Sequence, residues 1–296
     1  MKIFITGAES FIAGTLISRF SGSDVDVAGC DLSASKSPGI AISDIRNPDL
    51  GDLIPEGSDA VVHLAALSRE ADCKGRLDDW FDINVVASVN VLHAAHRRRV
   101  KRFVFASSEW VYDFNGTEER YETDKIDPAN VGSEYGLSKL LAESYLRQST
   151  RNLKIELTIL RFGIVYGPRK QNWSAVEALL HSVATEDAVR IGSRSTARRF
   201  IHVSDVAAAI EMSCRSGADG VFNIQGPRLI SLNDILDEAK SLTGRYPEII
   251  ETEPDSPSIR SVNVDRAAKL LNWQPKMDIS DGMQDCAFAV LESFRA

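Results

Sequence analysis

Residues 1–14 read Met-Lys-Ile-Phe-Ile-Thr-Gly-Ala-Glu-Ser-Phe-Ile-Ala-Gly, and this stretch decides the fold. Residues 2–6 alternate β-branched and aromatic side chains as a buried strand does. At Gly7 the pattern breaks, and from Phe11 apolar residues recur with helical spacing at Ile12, Leu16 and Ile17. A strand that turns on glycine into a helix aims the free N–H groups of the helix's first turn, and the positive end of its dipole, at one point. That point suits a pyrophosphate. A dinucleotide-binding turn asks for three small residues: for the turn, for close approach of the phosphate, and for helix–strand packing. Gly7, Ser10 and Ala13 hold those places.

Alanine at the third place is an accepted variant, whereas Ser10 is a departure. Two outcomes are open for it: its hydroxyl hydrogen-bonds the phosphate, or its bulk weakens binding. Gly7, Ser10, Phe11 and Ile12 are the expected contacts. The turn alone is weak evidence, but a second apolar strand at 25–30 ends in Asp31, about 20 residues on, where a carboxylate accepts both ribose hydroxyls of NAD. The same charge repels a 2′-phosphate, so NAD is expected rather than NADP.

The 296 residues suffice for a substantial core, in one large domain or two closely joined ones. With 34 Lys+Arg against 42 Asp+Glu the net charge is −8, which argues against a nucleic-acid-binding surface. Cys30, Cys73, Cys214 and Cys286 show no paired spacing, so neither a disulfide framework nor a zinc site is expected. His93 and His96 fall on a predicted helix and read as surface residues; no metal is expected. The chain is expected to enter its first strand at once, without a signal peptide, and no apolar run approaches the ~18 residues of a membrane span. A cytoplasmic protein is expected.

Further strands are expected at 40–42, 60–64, 102–106 and 156–160, with helices at 80–98 and 135–150. Apolar strands separated by helices indicate a parallel sheet covered on both faces, with ligands at the carboxyl ends of its strands. The basic run Arg97-Arg98-Arg99 falls in the last turn of a predicted helix, where cations complement the dipole. From Gly167 an irregular stretch is expected to run to Phe200. A helix at 203–214, a strand at 221–224, a helix at 232–242, a proline-rich segment at 247–257 and two short helices follow. The expected architecture is a Rossmann-type doubly wound α/β sheet with a smaller, discontinuous C-terminal substrate domain. Residues 1–166 plus about 200–224 form the NAD-binding part, and about 167–199 and 225–296 the substrate part.

The fifth strand runs into Ser107-Ser108-Glu109-Trp110, and the next helix carries Tyr135 and Lys139, four apart and so on one face. A neighbouring ammonium favours a phenolate; bringing the phenol from its ordinary value near 10 to about 7 requires roughly 4 kcal/mol, within reach of one desolvated cation plus the oxidised nicotinamide. Tyr135 then serves as general base, Lys139 tunes it, and Ser108 holds the reacting oxygen. Tyr-x-x-x-Lys also occurs at Tyr121/Lys125 and Tyr166/Lys170, but the first lies in an acidic loop and the second flanks Gly167-Pro168. Only the middle pair joins a convincing helix to an upstream strand-end serine.

Taken together, the chain resembles an extended short-chain dehydrogenase/reductase of the NAD-dependent epimerase/dehydratase family, over essentially its whole length. The resemblance rests on Gly7 to Ala13, Asp31, Asp44-Ile45, His63-Leu64-Ala65-Ala66, Asn84, Ser107-Ser108, Tyr135 to Lys139, Arg161 with Val165 to Arg169, Arg198 to Asp205 and Asp265 to Pro275. It implies that Asp44 and Ile45 contact the adenine and that Leu64, Ala65 and Ala66 line the pyrophosphate and ribose. Lys139 would also bind the nicotinamide ribose. Packing alone also accounts for the alanines, a satisfied strand histidine for His63, and helix capping for Asn84, the other expected cofactor contact.

Departures from the family narrow the chemistry. Members that dehydrate sugars resemble one another in an Asp-Glu pair after the catalytic Ser or Thr; Glu109 and Trp110 stand there, so dehydration is disfavoured. Gly163 stands where the resemblance leads one to expect an asparagine facing the substrate. The family's diphosphate-binding arginine falls near Asp255, Arg198 keeps its place, and Arg260 is a candidate replacement. The expected substrate-binding residues are thus Ser108, Glu109, Trp110, Gly163, Arg198 and Arg260. The expected activity is 4-epimerisation of a nucleotide-diphosphate sugar through a transient keto-sugar. Alternatives are a net oxidoreductase of the same fold and a non-catalytic dinucleotide sensor. The helices from Asn84 and Tyr135 carry apolar residues that, by the resemblance, pair across a homodimer.

Overall fold

The computed structural model describes residues 1–33, 37–68, 78–113 and 118–291; Cys73 lies outside them. Seven parallel strands form the central sheet: β1 (Lys2–Thr6), β2 (Asp26–Asp31), β3 (Ile40–Ile42), β4 (Ala60–His63), β5 (Arg102–Ser108), β6 (Glu156–Phe162) and β11 (Gly220–Ile224). Their spatial order is β3-β2-β1-β4-β5-β6-β11, which reverses direction between β1 and β4. In such sheets the crevice for a ligand opens at that reversal.

The strands are apolar on both faces because both are covered. Helices α1 (Phe11–Phe20) and α6 (Val203–Ser216) pack on one face, over Ile3, Ile5, Val62, Val104 and Phe222. On the other face, Phe4, Val61, Phe103 and Phe105 meet α3 (Ser88–Arg97) and α4 (Glu134–Thr150). The segment read as one helix over 80–98 is three: α2 (Asp78–Phe81), a π-helical turn (Asp82–Ala87) and α3. The widened turn carries Asn84, whose buried side chain is tied to a neighbouring loop.

Beyond the sheet, the expected irregular stretch after Gly167 contains α5 (Ala175–Thr185) and β8 (Ala188–Ile191). The local signal for α5 is a capping box, Ser174 with Glu177, ahead of Val176, Leu179, Leu180 and Val183. Helix α5 joins α7 (Leu232–Thr243) and α9 (Ile279–Leu291) around a third apolar cluster. The proline-rich segment contributes β13 (Glu248–Glu251), paired in parallel with β8. Two-residue strands β7 (Val165–Tyr166) and β10 (Ile201–His202) pair in parallel, β9 (Ala197–Arg198) and β12 (Ile230–Ser231) antiparallel. Helix α8 (Asp265–Leu270) packs beside β11. Among the described residues no helix is long and apolar enough to cross a membrane.

Candidate active site

Two clefts open at the carboxyl ends of the strands. One, of about 200 Å³, is lined by Gly7, Ser10, Asp31, Asp44, Ile45, and Leu64 to Leu67. Gly7 has φ +69, and a Cβ there would come within 2.8 Å of the Ala65 amide nitrogen, so the turn needs both a left-handed backbone and no side chain. Ser10 caps α1, its Oγ accepting the Ala13 N–H at 3.3 Å. The hydroxyl is thus turned into the helix.

Asp31 accepts the Glu9 and Ser33 N–H groups at 3.0 and 2.8 Å, which aims its carboxylate across the mouth of the turn. Asp44 is engaged by Arg46, whose Nη2 is 2.6 Å from Oδ2, and this hydrogen bond holds its carboxyl below the usual range. The N-terminus of α1, the missing Cβ at Gly7 and the acceptors on Asp31 fit a dinucleotide: a cradle for its phosphates and a partner for a ribose.

A larger cleft of about 720 Å³ continues from Ser10, Phe11 and Ile12 to Ser108, Tyr135 and Lys139. Here strand β5 ends and α4 begins, with Ser133 capping the helix through the Gly136 N–H at 3.1 Å. Ser108 hydrogen-bonds the Tyr135 phenol, and Trp80 flanks it at 5.7 Å between ring centroids. Lys139 is 3 % exposed; its Nζ donates to the Ala106 carbonyl at 2.8 Å and lies 6.0 Å from the Tyr135 ring centroid.

Lys139 by itself does not acidify Tyr135. Burial pushes the phenol up to about 12, which the Ser108 hydrogen bond only partly offsets. The same burial pushes Lys139 down to about 7, against the opposing pull of Glu143. Both groups lose hydration when they charge, and at this separation their attraction does not recover it.

Beneath this trio lies a buried polar network without a motif to announce it. Glu143, one turn beyond Lys139, receives Arg161 through Nε (3.0 Å) and Nη2 (2.6 Å), and the Ser107 hydroxyl at 2.5 Å. Arg161 lies 4.8 Å from the Tyr112 ring centroid, and Tyr112 donates to Asn223 at 2.7 Å. Arg161 and Glu143 are polar residues on a core strand and a core helix face, so their spacing along the chain says nothing of their meeting.

Other expected site residues fall into place differently. Asn84 lines neither cleft: its amide bonds both backbone groups of Leu67 at 2.9 Å and the Ser138 hydroxyl at 3.0 Å, tying the loop after β4 to α4. His63 is satisfied by Thr6 at 2.6 Å and Ser88 at 2.8 Å. Trp110 and Gly163 line the large cleft, while Glu109 is buried behind it with Arg198 and Arg260 nearby. A Cβ at Gly163 would collide with Gln225, a residue sequence reading passed over. Arg169, also unassigned by sequence, lies 4.7 Å over the Phe11 ring, held by Glu177 at 2.7 Å, and lines the same cleft.

Residues 3–224 match the model of the NAD dependent epimerase/dehydratase family. A putative UDP-glucose 4-epimerase of Methanocaldococcus jannaschii is 28% identical over 297 residues, covering 95% of this chain and 96% of the relative. The UDP-glucose 4-epimerase of Mycolicibacterium smegmatis is 28% identical over 310 residues, 96% of each chain. The solved structure of MoeE5 in complex with UDP-glucuronic acid and NAD superposes with a TM-score of 0.87 at 25% identity, covering 99% of this chain and 100% of that one.

Proposed function

The chain belongs to the NAD dependent epimerase/dehydratase family, and from that premise we propose that it is a 4-epimerase of a nucleotide-diphosphate sugar. The observation that carries the reading is the convergence of Ser108, Tyr135 and Lys139 on the cleft that begins at the first turn of α1. The two 4-epimerase relatives, aligned over almost the whole chain, support the same chemistry. Glu109 and Trp110 after Ser108 count against dehydration, for which the expected acid–base pair is incomplete.

Gly7, Ser10, Phe11, Ile12, Asp31, Asp44, Ile45 and Leu64 to Ala66 would hold NAD, with Lys139 at its nicotinamide ribose. When bound, NAD supplies an acceptor and donor for the hydride of the sugar carbon, and its oxidised ring adds a positive charge beside Tyr135. The base is the phenolate, which the charge of bound NAD and a protonated Lys139 would favour once the phenol's own proton has left to solvent; its Oη then takes the proton of the sugar hydroxyl and later returns it. Ser108 holds the reacting oxygen against the phenol. Lys139, held down at about 7 in the resting site, completes its protonation when an anion forms at Tyr135. Trp80 keeps water from the phenol's flank.

The reading extends to organisation. The sheet portion, residues 1–166 with about 200–224, would bind NAD, and about 167–199 with 225–296 would cover the sugar. Exposed Phe81, Val86 and Tyr145, at 52%, 39% and 57%, suit burial in a homodimer across the helices of Asn84 and Tyr135. The free, buried thiols of Cys30, Cys214 and Cys286 accord with a reducing cytoplasm.

The test is to incubate the NAD-loaded protein with UDP-glucose, UDP-galactose and UDP-glucuronic acid, following the sugar by NMR and nicotinamide absorbance in parallel. Interconversion of 4-epimers with flat absorbance, lost in Tyr135→Phe while NAD is retained, is expected. Stoichiometric NADH formation would replace the epimerase reading with the oxidoreductase one.

A further inference from the structure

Glu109 directly follows Ser108, yet its side chain is 1 % exposed. With the Gln225 amide turned so that its nitrogen meets the acid, Oε2 accepts that N–H at 3.0 Å and the amide oxygen accepts the Gly163 N–H at 3.1 Å. The other oxygen, Oε1, is buried without a hydrogen-bond partner. An apolar surrounding would expel such a carboxylate, but this one faces two guanidinium groups.

A parallel bridge between Ala197 and Ile259, with the Arg260 N–H donating to the Ala197 carbonyl at 3.1 Å, sets Arg198 and Arg260 side by side. Arg198 is fixed by Ser258, through the carbonyl at 2.5 Å and Oγ at 3.0 Å. Arg260 rests 4.1 Å over the Trp110 ring, and Trp110 lines the cleft beside Ser108. Burial weakens the hold of both arginines on their protons, Arg260 weakens that of Arg198 further, and Glu109 is the carboxylate that opposes this in both. Among the described residues, the groups acting on Glu109 are Arg260, Arg198 and the Gln225 amide.

We propose that Glu109 is the resident counter-anion of the Arg198–Arg260 pair, and that a diphosphate seated on these arginines drives a proton onto it. The inference rests on the nucleotide-diphosphate-sugar reading and adds a linkage that reading does not require. With Glu109 ionised the trio carries one net positive charge; with Glu109 protonated it carries two, matching the two charges of a sugar diphosphate. A second anion beside a buried carboxylate raises that carboxylate's proton affinity. Burial already lifts Glu109 to about 7, so a modest further push suffices. Below that pH the site is protonated before binding and affinity is flat. Above it, each binding event takes up a proton, and affinity falls by up to about tenfold per pH unit.

The experiment is calorimetry on the NAD-loaded protein at about pH 8, in buffers of different ionisation enthalpy, with UDP-glucose and, separately, sulfate. Neither probe has a group that titrates near neutrality. Uptake approaching one proton is expected for the wild type and none for Glu109→Gln, which should also bind UDP-glucose about tenfold more tightly than wild type at that pH. Should Glu109→Gln not fold, the wild-type affinity for sulfate between about pH 6 and 9 serves: it should be flat below about 7 and fall above it, and a profile flat throughout overturns the inference. UDP-glucose binding without proton uptake, or equal uptake in wild type and variant, overturns the inference and leaves the substrate reading standing. Uptake with sulfate but no binding of UDP-glucose upholds the linkage and overturns that reading. Failure of both probes overturns both.

Discussion

Lys139 stands one helical turn beyond Tyr135, yet it gives its hydrogen bond to the Ala106 carbonyl, 2.8 Å away, and keeps its Nζ 6.0 Å from the phenol ring centroid. Burial therefore favours the neutral form of both side chains, with the phenol up at about 12 and the amine down at about 7. The protein's own groups thus leave Tyr135 as the phenol, and the phenolate that the base role needs would draw on the charge of bound NAD.

The lysine should cost the fold stability that can be recovered by removing it. Its affinity for a proton drops from the ordinary 10.5 to about 7 on folding, so the buried ammonium is destabilising below pH 7 and the penalty vanishes as pH rises toward 10.5. Lys139→Met should raise stability at pH 6 by on the order of 3 kcal/mol, after allowing for the lost Ala106 hydrogen bond, and by nothing near pH 10. Urea unfolding at the two pH values checks this. A gain independent of pH would mean that packing, and not the charge, was responsible.

Ser10 should behave as a helix cap and not as an obstacle to phosphate. Ser10→Ala should lose about 1 kcal/mol of stability, and Ser10→Gly only a few tenths. NAD affinity of Ser10→Gly, measured by tryptophan quenching, should stay within about threefold of wild type, since the hydroxyl is already turned to Ala13. Tightening by more than tenfold would show that the side chain stands in the phosphate's way.

The Arg161–Glu143 pair should be costly to break and cheap to replace. Either Glu143→Leu or Arg161→Met leaves a buried partner unmatched, at about 3–5 kcal/mol, while the double variant Glu143→Leu/Arg161→Met should be less destabilised than the sum of the single variants by at least 2 kcal/mol. Additive losses in a thermal double-mutant cycle would refute the coupling.

What the sequence by itself determined is whatever contiguous residues encode. The strand–glycine–helix turn at Gly7, the acidic end of β2 at Asp31, and Ser108, Tyr135 and Lys139 on successive elements follow from periodicity, turn chemistry and helical spacing. Even α5, passed over as irregular, had its local mark in Ser174 and Glu177. Tertiary structure alone decided the proton affinities at Tyr135 and Lys139, the meeting of Arg161 with Glu143, and the closure of Glu109 by Gln225, Arg198 and Arg260. Desolvation and charge pairing depend on which distant segments cover a side chain. At Glu109 those segments come from three separate stretches of chain, so no window of sequence around it contains the answer.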